Sequence, residues 1–158
     1  MRGGINTGVH FGLTSGVITT LGLIVGLHSG THSTLAVIGG ILTIAVADAM
    51  SDALGIHISK EAENILSKKQ IWLATAATFL TKLVMAGTFI IPVLLLPLTT
   101  AMIASVAWGL LVLTLLSLML ARSQRVSPFP VIAEHVGIAL AVVIITHFIG
   151  DWIAQAFS

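Results

Sequence analysis

Five long apolar stretches, separated by short polar segments, dominate the hydrophobic pattern of this chain. A helix needs about 20 apolar residues to cross the hydrocarbon core of a bilayer, and each stretch reaches that length. The stretches lie at about Val9–His28, Ser33–Ile58, Trp72–Leu96, Leu98–Ala121 and Val131–Ala156. None of them alternates apolar and polar residues with the period of two that a membrane β-barrel strand requires. The pattern therefore predicts an all-α integral membrane protein, in which residues 1–158 form a single domain with five transmembrane helices.

The composition strengthens this prediction and excludes several classes of protein. Apolar residues make up 56% of the chain and charged residues 8%, whereas soluble chains average about 45–50% and about 25%. The formal net charge of +1 excludes a protein that binds nucleic acid by neutralising phosphates. The absence of cysteine excludes disulfides, thiolate metal sites and cysteine nucleophiles. We therefore expect lipid to surround the chain and no nucleic acid to bind it.

The basic residues outside the predicted helices predict the orientation of the chain. They precede the first helix or lie in the segments after the second and fourth helices: Arg2, Lys60, Lys68, Lys69, Arg122 and Arg125. With five spans these three places share one side of the membrane, and short loops rich in Lys and Arg face the cytoplasm. The sequence thus predicts a multi-pass protein of the cell membrane, with its amino terminus in the cytoplasm and its carboxyl terminus outside.

Three charged residues lie deep inside predicted spans. Asp48 and Asp52 are one turn apart on one helix face, and Lys82 lies in the next helix. A charge at the middle of a membrane helix costs about 2.5–3.5 kcal/mol on insertion scales, so each needs a partner or a role. Asp48 and Lys82 each lie about 15 Å from the cytoplasmic end of their helix, which allows an ion pair. Asp52 is then expected to lack this partner and to hold a proton or a cation, or to face water.

The fifth predicted helix carries a second polar group. His147 and Asp151 are four residues apart, and an imidazole beside a carboxylate is a half-site for a transition metal. The alternative is a histidine bonded to a neighbouring helix and an aspartate at the outer interface. His147 lies about 24 Å from the cytoplasmic end of its helix, too far to share a compact site with Asp48. A second site or a proton relay would be formed by His147, Asp151, Glu134 and Lys82.

Glycines recur at four-residue spacing along the first predicted helix, at Gly8, Gly12, Gly16, Gly22, Gly26 and Gly30. Small residues at this spacing allow two membrane helices to approach closely. Such a face packs either inside the bundle or against a second copy of the chain. Because five helices alone enclose a pathway poorly, we expect a homodimer through the first helix.

Two segments resemble the vacuolar iron transporter family. Residues 11–27 read FGLTSGVITTLGLIVGL and are similar to its first helix, F-G-x-x-D-G-x-x-T-T-x-G-x-x-x-G. Ala47–Lys60 is similar to its second-helix run A-G-A-x-S-M-x-x-G-x-Y-x-S, and Ile91–Pro97 resembles its I-P-x-x-P bend. The resemblance implies a five-span homodimer that moves Fe²⁺ or Mn²⁺ out of the cytoplasm in exchange for protons.

The chain departs from this family at the positions that face the metal. The family's aspartate in the first helix falls on Ser15, and its glutamate and methionine in the second helix fall on Ile44 and Asp52. The family's glutamate-rich cytoplasmic helices have no counterpart beyond the short segment Lys60–Gln70.

Oxygen donors remain close to these changed positions. We expect Asp48 and Asp52 to supply carboxylate ligands, with Ser15 and Thr19 adding hydroxyls. Such hard donors suit Mn²⁺, Mg²⁺ or Ca²⁺.

These observations lead to a hypothesis of a dimeric, proton-coupled divalent-cation transporter. It is not an enzyme and holds no resident cofactor, since the ion is its cargo. One alternative is a non-transporting membrane scaffold or assembly subunit that has lost the metal site and keeps Asp48 and Lys82 as an inert pair. Another is an intramembrane hydrolase with Asp48 and Asp52 as its dyad, although such dyads usually draw one residue from each of two elements.

Overall fold

Helices account for the regular structure in the part of the chain that the structure describes. A computed structural model describes residues 2–157, with side chains from residue 4 onward. The helices are α1 (Arg2–Thr31), α2 (Thr34–Glu63), α3 (Lys68–Thr88), α4 (Ile90–Leu95), α5 (Leu98–Gln124) and α6 (Pro128–Phe157). Within the described residues, five helical segments are long and apolar enough to cross a membrane, with α3 and α4 together forming the third. The predicted all-helical class and the count of five candidate spans are confirmed, and they indicate a multi-pass membrane protein.

The helices extend beyond the apolar stretches into polar sequence. The segment after the second apolar stretch is mostly helical, because α2 continues to Glu63 and α3 begins at Lys68. Asn64 ends α2 in the left-handed conformation, with φ of 52°, which is a common helix C-terminus. The Ser67 N–H donates to the Gln70 side-chain oxygen over 3.0 Å and so satisfies a backbone donor at the start of α3.

The third span consists of two helices, whereas the sequence predicted one continuous helix. Helix α3 ends at Thr88 and α4 begins at Ile90. Pro92 has no N–H to donate to the Thr88 carbonyl, and its ring crowds that carbonyl. The Phe89 N–H bonds instead to the Ala86 carbonyl over 3.1 Å, which tightens the last turn of α3.

Helix α1 lies at the centre of the bundle and packs through its glycines. Half of its apolar segment is buried, against 6% of that of α6. A Cβ atom on Gly12 would lie 2.8 Å from the Thr78 carbonyl oxygen of α3. Farther along α1, a Cβ on Gly22 would lie 2.9 Å from Val142 of α6. Only glycine permits these approaches, so the first half of α1 packs on α3 and the second half on α6.

This packing corrects the expected dimer contact. The glycine face of α1 is covered by α3 and α6 of the same chain, so it is not free to contact a second copy. The homodimer itself stays a prediction, but it requires another surface.

Helix α2 presents rows of residues spaced by four, each with a different environment. One row is buried in the bundle: Val37, Ile41, Ala45, Ala49 and Ala53. On the opposite face, the small-residue row is exposed: Gly39, Thr43, Ala47, Ser51, Gly55 and Ser59. Between these two lies the acidic row, which is half-buried: Gly40, Ile44, Asp48, Asp52 and Ile56. The two aspartates therefore lie at the edge between the bundle core and the outer face of α2.

Candidate functional site

Lys82 is the centre of a polar cluster in the middle of the bundle. It follows Ala74 and Thr78 at four-residue spacing on the buried face of α3, and it is only 1% exposed. Its Nζ lies 2.5 Å from Asp48 Oδ2 and also forms an ion pair with Asp52 Oδ2. The predicted pairing of Asp48 with Lys82 is confirmed.

Ser15 of α1 completes the cluster. Its Oγ accepts a hydrogen bond from Lys82 Nζ over 2.8 Å and donates one to Asp52 Oδ2 over 2.6 Å. The neighbouring glycine explains how α1 comes so close, since a Cβ on Gly16 would lie 3.3 Å from Lys82 Cγ. Helices α1, α2 and α3 therefore each contribute to one site.

The ion pair of Asp52 with Lys82 contradicts an expectation drawn from the sequence. We expected Asp52 to lack Lys82 as a partner, but it shares the ammonium with Asp48. One helical turn rises only about 5.4 Å, and the long flexible lysine stem places its nitrogen between two carboxylates at this spacing. An ammonium also carries three N–H groups, enough for several acceptors.

The two aspartates hold Lys82 differently. Asp52 Oδ2 accepts hydrogen bonds from both Lys82 and Ser15. Asp48 Oδ2 is close enough to Lys82 for an ion pair but lies outside hydrogen-bond geometry. Asp48 is thus held by charge alone, whereas hydrogen bonds also orient the carboxylate of Asp52.

A groove of about 470 Å³ between α1 and α2 reaches Asp48. Thr19 of α1 and Thr43 of α2 also line it. The Thr19 hydroxyl donates to the Ser15 carbonyl over 2.9 Å, which leaves the oxygen lone pairs as acceptors. Of the predicted ligands, Asp48, Asp52 and Ser15 meet at Lys82, and Thr19 lies one turn farther along α1 beside the groove.

The charges of this cluster do not balance when all groups are ionised. Two carboxylates and one ammonium leave a net charge of −1 in a region where burying charge is costly. A bound proton or a further cation would remove this excess. The oxygen atoms of the cluster are the donors that hard cations prefer.

The second predicted site lies elsewhere in the bundle. His147 Nδ1 and Ser29 Oγ are 2.5 Å apart, which joins α6 to α1. Ser29 is about 21 Å along α1 from Ser15. His147 Nε2 lies 3.5 Å from Asp151 Oδ2, with 49% and 40% of these side chains exposed. The expectation of a histidine bonded to a neighbouring helix is confirmed.

The second site does not assemble as a relay with Lys82. Glu134 is exposed on α6, whereas Lys82 is buried against α1 and α2. Over residues 4–157, no three His, Asp or Glu side chains form a group that could hold a metal ion. The Lys82 cluster, with two carboxylates and hydroxyl oxygens, is therefore the strongest candidate site.

Several polar contacts between helices escaped the sequence analysis. His57 Nδ1 meets Thr75 Oγ1 at 2.9 Å, and His135 Nδ1 meets Ser117 Oγ at 2.8 Å. In each case a histidine faces a hydroxyl of an adjacent helix. The only signal in the sequence is a polar residue within an apolar stretch, which does not identify the partner.

Comparisons with protein-family models, with curated proteins and with solved structures gave no match to this chain.

Proposed function

We propose that this protein is a proton-coupled carrier that exports a divalent cation, Fe²⁺ or Mn²⁺, from the cytoplasm. The observation that carries the proposal is the meeting of Asp48, Asp52 and Ser15 around Lys82, within segments long enough to span a membrane. Two carboxylates balance the charge of one divalent cation. Charged groups buried within a membrane segment are costly and are most often functional.

The groove beside Asp48 supports a route to the site. Asp48 is 25% exposed as a side chain and lines the groove together with Thr19. A cation entering there meets the carboxylate that has no hydrogen bond to Lys82. It then displaces the ammonium from Asp48, and the oxygens of Asp52 and Ser15 follow as ligands. Lys82 in this scheme is a tethered counter-ion that occupies the site when the cargo is absent.

Exchange for protons keeps the charge of the buried site nearly constant. When the cargo leaves, Lys82 returns to the carboxylates and one proton neutralises the remaining charge, so the empty site holds no bare negative charge in a poorly solvated region. The resemblance of α1 and α2 to the vacuolar iron transporter family supports this coupling, the class of cargo and the outward direction.

A second copy of the chain would complete the site. The small-residue row of α2 is exposed along its whole length, and small residues at this spacing favour close helix contacts in membranes. Gly39 and Ala47 of this row line the same groove as Asp48. A second copy packed on this row would therefore shield the partly exposed carboxylates from lipid. We propose the homodimer through α2 in place of α1.

One observation favours the alternative of a non-transporting scaffold. Lys82 reaches both aspartates and Ser15 at once, and a buried ion pair satisfied in this way can serve helix packing alone. That alternative predicts that the cluster never exchanges its ammonium for a cation.

The test is uptake of Mn²⁺ and Fe²⁺ into proteoliposomes under an imposed pH gradient. We expect flux that depends on the gradient, and at least about a tenfold loss in Asp48→Asn and in Asp52→Asn, because each change removes a charged ligand. Asp151→Asn is the matched control, since Asp151 is 40% exposed and lies outside the cluster. Unchanged flux in both cluster variants, or no flux in the unaltered protein, would leave the scaffold as the better explanation.

A further inference from the structure

A second groove opens between α2 and α3 at the end of the bundle that carries Lys60, Lys68 and Lys69, here called the basic end. It has a volume of about 720 Å³. Its walls are mostly apolar: Ala47, Met50, Ser51, Ala53, Leu54, His57, Trp72, Thr75, Ala76 and Phe79. The groove has the size and chemistry to hold part of a hydrocarbon chain.

At the basic end this groove continues into a small polar cavity of about 140 Å³. His57 and Trp72 line both spaces. His57 is held against Thr75 at 2.9 Å, and its ring packs edge-on to Trp72 with centroids 4.6 Å apart. These two rings, in contact with each other, lie between an apolar space and a polar one.

Two side chains of opposite charge line the polar cavity. Glu61 and Lys68 both line it. Neither has an ion-pair partner within 4 Å among the described residues, whereas the nearby Lys60 is paired with Glu63 at 2.7 Å. An unpaired carboxylate and an unpaired ammonium therefore face the same small space.

We infer that this composite site binds a phospholipid whose headgroup carries both a phosphate and a primary ammonium, as in phosphatidylethanolamine. Lys68 would bind the phosphate, Glu61 would accept hydrogen bonds from the ammonium, and an acyl chain would lie in the groove. Trp72 has the position of an interfacial aromatic residue, and basic pockets between membrane helices bind lipid headgroups. The two charges and the adjoining apolar groove together select this occupant.

Other headgroups fit the cavity less well. A purely anionic headgroup satisfies Lys68 but meets the carboxylate of Glu61. A choline headgroup has no N–H to donate to Glu61. Ala47 and Ser51, at the far end of the groove, belong to the small-residue row, so a bound acyl chain would lie beside the proposed second copy.

Quenching of Trp72 fluorescence by brominated lipids tests this inference. Trp108 and Trp152 are replaced by phenylalanine, so that Trp72 is the only tryptophan. The full-length protein is reconstituted with small mole fractions of dibrominated phosphatidylethanolamine, phosphatidylglycerol or phosphatidylcholine. We expect saturable quenching by the ethanolamine lipid, with an apparent affinity about two- to fivefold above the other two, the range that an exposed ion pair supports.

Charge variants show whether the two residues cause this preference. Glu61→Gln should lower the affinity for the ethanolamine lipid to that for the choline lipid, and Lys68→Gln should weaken binding of every lipid with an accessible phosphate. Glu63→Gln is the matched control, because Glu63 pairs with Lys60 and does not line the cavity. All of these side chains are exposed, so the variants should fold.

Three results would overturn the inference. The first is equal quenching by the three lipids. The second is stronger quenching by phosphatidylglycerol than by the ethanolamine lipid, which would indicate a site for anions alone. The third is an unchanged preference for the ethanolamine lipid in Glu61→Gln. The experiment is independent of metal transport, so a failure here would leave the carrier proposal standing.

Discussion

At the scale of single residues, the fold depends on the way it accommodates Lys82. This side chain is 1% exposed, yet it places a basic group in the middle of an apolar bundle. Its nitrogen contacts oxygens from two helices, and the serine among them relays a hydrogen bond to Asp52. A buried charge with such partners is tolerated, whereas one that loses them is strongly destabilising.

Lys82→Met should therefore lower the free energy of unfolding by about 3–5 kcal/mol, because it leaves two carboxylates without a cation. Denaturant titration in detergent micelles would measure the loss. The triple variant Lys82→Met, Asp48→Asn, Asp52→Asn should recover most of it, since no buried charge remains. A single variant as stable as the unaltered protein would show that the ion pairs contribute little to the fold.

The sequence predicted part of this cluster and missed the rest. Depth along each helix was enough to pair Asp48 with Lys82, because the rise per residue is fixed. The contacts to Asp52 and Ser15 depend on the bending of the lysine stem and on how closely α1 approaches α3. Neither can be calculated from spacing along one helix.

At the scale of helices, α1 and α2 use the same four-residue spacing of small residues for different purposes. The glycines of α1 lie against backbone and side-chain atoms of α3 and α6. The small-residue row of α2 faces away from the bundle, and no atom outside the helix would lie within 4 Å of a Cβ on Gly39 or Gly55. Because the spacing is the same in both helices, it predicts close packing but not the partner.

Bulky substitutions should separate these two roles. Gly12→Leu should destabilise the monomer by at least about 1–3 kcal/mol, because the new side chain meets the Thr78 carbonyl. Ala47→Leu should leave the melting temperature of the monomer unchanged and weaken the dimer, measured by light scattering in detergent.

Val46→Leu is the control for the second substitution, since Val46 is exposed on a row of large residues. A dimer that persists in Ala47→Leu but is lost in a folded Gly12→Leu variant would show that the dimer forms through α1 and not through α2.

At the scale of the whole molecule, the number of spans was predictable and their arrangement was not. Span length and hydropathy are local properties, so five apolar stretches sufficed to predict five candidate spans. The central position of α1 arises from contacts between residues far apart in the chain, such as Gly12 with Thr78 and Gly22 with Val142. The break at Phe89 could have been anticipated from Pro92, whose missing N–H is a local property.

The orientation of the bundle can be tested cleanly because the chain contains no cysteine. In intact cells, a membrane-impermeant maleimide should label Thr100→Cys, which is exposed near the start of α5. It should label Ser127→Cys, at the other end of the same helix, only after the cells are permeabilised. The reverse pattern would place the basic loops outside and contradict the predicted topology.

The covalent attachment of Lys82 has a consequence for which ions such a site would admit. A tethered group competes at a high local concentration, since its translational freedom was lost when the chain folded. A free sodium or potassium ion brings the same single charge and must still give up its own freedom and its hydration shell. An ion with twice the charge gains more from the paired carboxylates and can overcome this internal competitor. Competition from Lys82 would thus favour divalent over monovalent cations, independently of the geometry of the ligands.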